Sequence, residues 1–133
     1  MAELNHTIIN CKNKELSAHF FAEIIGLQIK PQWGRFLPVQ TKNGVTLGFA
    51  DAQEFQPQHY AFIMSDSEFD AALDRLKNSG TKYYSHFDNT VEGEINTLWG
   101  GKGVYFYDHS GHLLEMITKP YGDRGELVAD MER

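Results

Sequence analysis

The sequence predicts an α+β domain of two tandem β-α-β-β-β modules whose strands curl into incomplete barrels. Three observations carry this. Strand-prone and helix-prone segments follow one another in the same order twice along the 133 residues. His6 and His59 lie 53 residues apart, and so do Glu15 and Glu68, each near the start of a helical pattern. The closing hairpins of the two halves align through their turn glycines, Gly44 and Gly111, which sets Gly48 opposite Glu115. Matched residues alone are weak evidence of a repeat, and the shared element order gives them weight.

The first module spans about residues 4–51. Residues 4–10 (LNHTIIN) form a short β-prone run rich in Ile and Thr. Leu16, Phe20, Phe21 and Ile24 then recur at helical spacing, with Asn13 as N-cap and Gly26 as stop. Residues 27–50 show no helical period and read as three strands, broken at Trp33-Gly34 and at the hairpin signal Lys42-Asn43-Gly44. The second module, about 58–118, opens on the strand HYAFIM from His59. Ser65 and Glu68 form a capping box, and Phe69, Leu73 and Leu76 share one face of a helix reaching Asn78, with Gly80 as its stop. Residues 82–87, 95–99, 103–107 and 112–118 are β-prone, and the turn Asp108-His109-Ser110-Gly111 joins the last two. A polar tail, 119–133, completes a chain expected to be one domain over 1–133.

Composition excludes several function classes. Hydrophobic residues make up 41% and aromatics 13%, enough for a core and too much for a disordered chain. Twelve Lys and Arg stand against 18 Asp and Glu, a net charge of −6 with no basic run, so neither nucleic acid nor an anionic membrane is an expected partner. Cys11 is the single cysteine, so no intrachain disulfide forms. With no activating base near it in sequence, Cys11 is not expected to be a catalytic thiol. No apolar run is long enough to cross a bilayer, and MAELNH has no secretory character, so the expected location is cytoplasmic.

Strand alternation selects the residues that can do chemistry. His59 shares a face with Ala61 and Ile63, opposite Tyr60, Phe62 and Met64, whose bulk suits the helix-covered side. Glu115 points with Leu113 and Ile117, and His6 with Ile8 and Asn10. A carboxylate between Leu114 and Met116 is costly to bury without a partner. Two imidazoles and a carboxylate on rigid strands make a facial triad for a divalent metal. Three polar residues satisfied by separate hydrogen bonds fit the same spacing, and spacing alone leaves both readings open. His112 has the opposite strand parity to Glu115, His19 reads as a packing or surface residue of the helix, His109 as a solvated turn residue, and His86 has no evident partner.

Leu4-Asn5-His6, Ile24-Ile25-Gly26-Leu27, His59-Tyr60-Ala61-Phe62, and Gly103-Val104-Tyr105-Phe106-Tyr107-Asp108 followed by Gly111-His112-Leu113-Leu114-Glu115 resemble the vicinal oxygen chelate superfamily. That superfamily includes glyoxalase I, bleomycin-resistance proteins, extradiol dioxygenases and fosfomycin-modifying thiol transferases. The resemblance implies a metal site at His6, His59 and Glu115 for Fe, Mn, Zn or Ni, and a small oxygenated substrate. The reaction would use Lewis-acid stabilisation of an oxyanion or dioxygen activation. It also implies a homodimer in which each site takes the first-strand histidine from one chain and the other two ligands from its partner. The alternative is a metal-free drug-binding protein of the bleomycin-resistance type, with Trp33, Trp99 and tyrosines stacking on the drug, or a fosfomycin-type thiol transferase.

Two departures narrow the resemblance. Gly48 stands where glyoxalase I enzymes carry a fourth ligand, and glycine has nothing to coordinate with. His59-Tyr60-Ala61-Phe62, Tyr105 and Arg124, nine residues past Glu115, match the fosfomycin enzymes, but Gly103 replaces their serine and their loop lysine is missing. Gly93-Glu94-Ile95-Asn96 and Trp99-Gly100-Gly101-Lys102-Gly103 resemble a branch with Gly-Glu-Ile-Asn and a Gly-Gly-basic-Gly segment. Glycines there let the backbone approach a ligand and Lys102 pair with an anion. The substrate-binding candidates are therefore Asn10, Asn96, Trp99, Lys102, Tyr105 and Arg124; no general base is identifiable.

Overall fold

A computed structural model describes residues 1–121. Two units form, Met1–Gln58 with Tyr107–His112, and His59–Phe106 with the chain from Leu113. The mixed α+β architecture, with a four-stranded sheet in each half, is the one the sequence predicts.

In the first unit, β1 (His6–Cys11) alternates as a half-buried strand should. Ile9 and Cys11 are buried, while His6, Ile8 and Asn10 are exposed. Helix α1 (Lys14–Phe21) follows, its N-terminus closed by the Asn13 side chain, which accepts from the Leu16 amide at 3.1 Å. The last turn widens into a π-helix, Ala22–Gly26, where the Leu27 amide reaches back five residues to the Ala22 carbonyl at 3.0 Å. Gly26 ends it at φ 89°, a left-handed conformation that glycine adopts without strain. Strands β2 (Gln28–Ile29), β3 (Leu37–Gln40) and β4 (Thr46–Asp51) complete a sheet of order β1-β4-β3-β2. The α1 crossover allows β1 to run parallel to β4. Phe21 meets Phe49 edge to face at 4.8 Å in a core with Ala18, Ile24, Val39 and Leu47.

The turn Tyr107–His112 belongs to this unit. Asp108 Oδ1 accepts from the amides of Ser110 and His112, and Ser110 Oγ accepts from the Lys12 amide at 2.9 Å. His112 is buried. Its Nδ1 accepts from the Gln58 amide at 2.9 Å, so Nε2–H donates to the Asn10 carbonyl at 2.7 Å. Both of its nitrogens are thus spent on backbone.

In the second unit, β5 (His59–Ile63) leads to α2 (Asp66–Asn78), where the capping box is complete. Ser65 Oγ accepts from the Glu68 amide, and Glu68 Oε1 accepts from the Ser65 amide at 2.9 Å. Phe69, Ala72 and Leu76 are fully buried. Strands β6 (Tyr83–Tyr84), β7 (Gly103–Tyr107) and β8 (Leu113–Ile117) give the order β5-β8-β7-β6, with β5 parallel to β8. The repeat inferred from the sequence is visible in the registers. Ile8, two beyond His6, pairs with Gly48; Ala61, two beyond His59, pairs with Glu115.

Two expectations are corrected. The β-prone run 82–87 narrows to the two residues of β6. Residues 95–99 form no strand: Asn96 makes a single bridge to Gly103, and a 3-10 turn follows at Leu98–Gly100. Trp99 takes φ 63°, which no ladder accommodates, and the Asn96 side chain bonds the Ser85 carbonyl and the Leu98 amide instead of extending the strand. Among the described residues, no helix is long and apolar enough to cross a membrane.

Candidate metal centre

The parallel register of β5 and β8 brings His59 and Glu115 onto one face of the second sheet, one strand apart. His59 Nε2 lies 3.0 Å from Glu115 Oε1. The other ring nitrogen, Nδ1, is 3.0 Å from the Leu113 carbonyl. A carbonyl only accepts, so Nδ1 carries a proton, and when the ring is neutral its Nε2 lone pair faces the carboxylate. Two acceptors face one another there, and only a proton or a cation between them relieves the contact. Glu115 is 1% exposed, and an isolated buried carboxylate is costly. Tyr121 donates its phenolic proton to Glu115 Oε2, and Tyr105 Oη lies 3.2 Å from Tyr121 Oη. The His59 and Tyr105 rings stack at 6.2 Å, closing a ring of three residues around the carboxylate.

Charge follows from this geometry. The Glu115 carboxylate bonded to His59, aided by the Leu113 carbonyl, raises the imidazole above its ordinary 6.5 against the opposing effect of burial. Burial pushes the Tyr105 phenol up to about 12, and burial together with Glu115 raises Tyr121 as well, so both phenols remain donors at neutral pH. In the metal-free chain, the His59–Glu115 interaction stabilises the fold at pH below the unfolded histidine's value. That contribution is lost as pH rises through the raised one. NMR titration of His59 without metal is expected to give a midpoint above 6.5, and Glu115→Gln to lower it. An unchanged midpoint in that variant would contradict the pairing.

His6 is exposed on β1, with Nδ1 2.8 Å from Asn5 Oδ1. An amide oxygen only accepts, so here too Nε2 is the free nitrogen. Both histidines therefore present the nitrogen a metal takes, held by a partner on the other, which is the usual outer-sphere arrangement. The donor set of two neutral imidazoles and one carboxylate fits a divalent transition metal. Among the described residues, no three His, Cys, Asp or Glu side chains of one chain gather closely enough to hold an ion. A single chain assembles the pair His59 and Glu115.

The family model for the Glyoxalase/Bleomycin resistance protein/Dioxygenase superfamily matches residues 3–116. The chain belongs to this superfamily. Among its relatives, glutathione transferase FosA of Serratia marcescens is 27% identical over 87% of this chain and 80% of that protein. Metallothiol transferase FosB of Shouchella clausii (strain KSM-K16) is 27% identical over 98% of this chain and 87% of its own length. The structure of oxidase ChaP-H2 superposes with TM-score 0.88 at 44% identity, over 91% of this chain and 96% of that one. Relatives of this superfamily member are thus thiol transferases and oxidases.

The substrate-binding candidates fare unequally. Tyr105 stands against His59. Trp99, in the 3-10 turn, packs edge to face on Tyr121 at 5.4 Å. Asn10 is exposed on the His6 face of β1. The Asn96 amide is engaged within its own loop, and Gly103 is bare because a Cβ there would stand 2.8 Å from Asn96 Oδ1. The Lys102 ammonium is bonded to Asp70 on α2 at 2.9 Å rather than free for an anion. Arg124 lies outside the described residues. Cys11 is buried, and burial lifts its thiol to about 11, which removes it as a nucleophile. Sequence reasoning missed Tyr121. It lies within 119–133, the stretch that reads as a polar tail, and its signal is an aromatic residue shortly after the strand that carries Glu115.

Proposed function

We propose that this protein is a divalent-metal-dependent oxidase acting on a small oxygenated substrate. The metal would be held by His59 and Glu115 of one chain and His6 of a partner copy. The observation that supports the reading is the His59–Glu115 pair, whose Nε2 and Oε1 face one another and can share a proton or a cation. The oxidase reading draws on ChaP-H2, at 44% identity over nearly the whole chain, against 27% for FosA. Pairing of two copies draws on the exposed face of the edge strands, where Ile8 is 47% and Ile63 is 59% exposed.

When bound, the ion supplies Lewis acidity and open positions for substrate oxygens or dioxygen. The chain's own residues orient that chemistry. Leu113 and Asn5 aim the two imidazoles through their Nδ1 protons. The Tyr121 phenol, backed by that of Tyr105, holds Glu115 in place. The Tyr105 ring stacks on one side of His59.

The test is elemental analysis of protein purified without added metal, then oxygen uptake by Fe(II)- and Mn(II)-loaded protein over a panel of enolic and phenolic compounds. Uptake matched to substrate loss is expected. Metal-loaded protein that consumes no oxygen but conjugates glutathione to fosfomycin would favour the transferase reading. Metal-free protein that binds drugs would favour the resistance-protein reading.

Gly48 sits where Glu115 sits in the other sheet, and a Cβ there would meet the Phe36 ring at 3.5 Å. That is ordinary contact, but a longer side chain runs into the ring. Gly48→Glu alone is therefore expected to bind metal as the parent does. Gly48→Glu with Phe36→Ala is expected to bind it more tightly, by calorimetric titration of Mn(II). Equal affinity in a folded double variant would count against the equivalence of the two positions.

A further inference from the structure

We propose that Tyr121 is a positioning residue that restricts Glu115 to ligation through one oxygen, and that the glycine-containing turn before β7 is the seat that delivers it. The inference rests on the metal reading above. Glu115 is buried and its two oxygens are unequal. Oε1 faces His59 Nε2 at 3.0 Å, while Oε2 accepts the Tyr121 phenol. The Tyr121 oxygen in turn lies 3.2 Å from the Tyr105 hydroxyl, so two phenols in series hold one carboxylate oxygen. Turning Oε2 toward a metal would leave that chain of donors unpartnered in a largely buried place, which is costly.

Tyr121 does not belong to a strand, so something must bring it there. The Trp99 ring meets the Tyr121 ring edge to face at 5.4 Å, and Trp99 reaches it by taking a left-handed φ of 63°. Beside it, Gly101 is bare against the outgoing chain: a Cβ there would stand 2.5 Å from Lys119 Cγ and 2.7 Å from Thr118 Oγ1. Lys102 and Thr118 clasp the same segment, the Lys102 amide donating to Thr118 Oγ1 at 2.9 Å and the Thr118 amide to the Lys102 carbonyl at 3.0 Å. The Trp99-Gly100-Gly101-Lys102 motif thus cradles the protein's own chain, and the strained tryptophan and the close-packed glycine share one purpose.

Tyr121→Phe removes the hydroxyl and keeps the ring. Full-length protein is titrated with Mn(II) by electron paramagnetic resonance, and the visible spectrum of the Co(II)-loaded protein is recorded. The expected result is affinity lower by about tenfold or more. The Co(II) bands should also weaken, as the freed carboxylate adds its second oxygen. Thr118→Val removes the clasp without adding bulk and should give the same spectral change in part. Parent-like affinity and spectrum in Tyr121→Phe overturn the positioning role while leaving the metal site standing. A parent-like Thr118→Val overturns the seat. A parent chain that takes up no ion overturns the metal reading, and this inference with it.

Discussion

Glu115→Ala is expected to abolish tight binding of Mn(II), Fe(II), Zn and Ni, and His59→Ala to weaken it nearly as far. Each replaces one of the two proposed ligands, whose Nε2 and Oε1 atoms the second sheet places 3.0 Å apart. The loss should exceed the roughly 10–100-fold that removal of an outer-sphere partner costs, because a bond to the ion itself disappears. Glu115→Ala also leaves the Tyr121 hydroxyl without its acceptor, so its effect on the metal-free fold is measured separately by thermal unfolding. Calorimetric titration reads the affinities. Parent-like values in both variants would reject the assignment. Affinity should fall on acidification, since a proton on His59 competes with the ion for Nε2 and Glu115 favours that proton.

Mixing His6→Ala and Glu115→Ala chains is expected to restore metal sites that neither variant has alone. In a mixed dimer with shared sites, one site lacks both residues. The other takes His6 from the Glu115→Ala chain and Glu115 from the His6→Ala chain. Random exchange makes about half of the dimers mixed, so roughly a quarter of all sites should recover metal, by twofold counting. A ligand set contained within one chain would recover none. Exchange is verified by native mass spectrometry before the metal is counted.

What was legible in the sequence was local or periodic. The capping box at Ser65 and Glu68 needs only four residues, and it forms as read. Strand parity separated His59 from Tyr60 and assigned His112 to the opposite face from Glu115, where it is spent on backbone. The turn glycines Gly44 and Gly111 aligned Gly48 with Glu115, and the two registers agree. What was not legible depended on partners far along the chain. Nothing near Lys102 announces Asp70, 32 residues earlier. Residues 95–99 contain strand-prone Ile, Thr and Trp, but the side chain of Asn96 outbids the ladder, and no period records that. Tyr121 follows the last strand, where alternation has ended and only the fold reveals what the phenol touches.

The bare Gly48 has a consequence for charge. With a carboxylate there as well as at Glu115, a divalent ion between two copies would be fully neutralised by its ligands. Gly48 supplies none, so in the proposed site one unit of positive charge would stay uncompensated. The chain as a whole is anionic, with a net charge of −6. The metal position would then be an isolated electropositive point on an acidic protein. A substrate able to shed a proton from an oxygen, as an enol or a phenol can, would gain most by binding there as its anion, and neutral look-alikes without that proton would be left in solution.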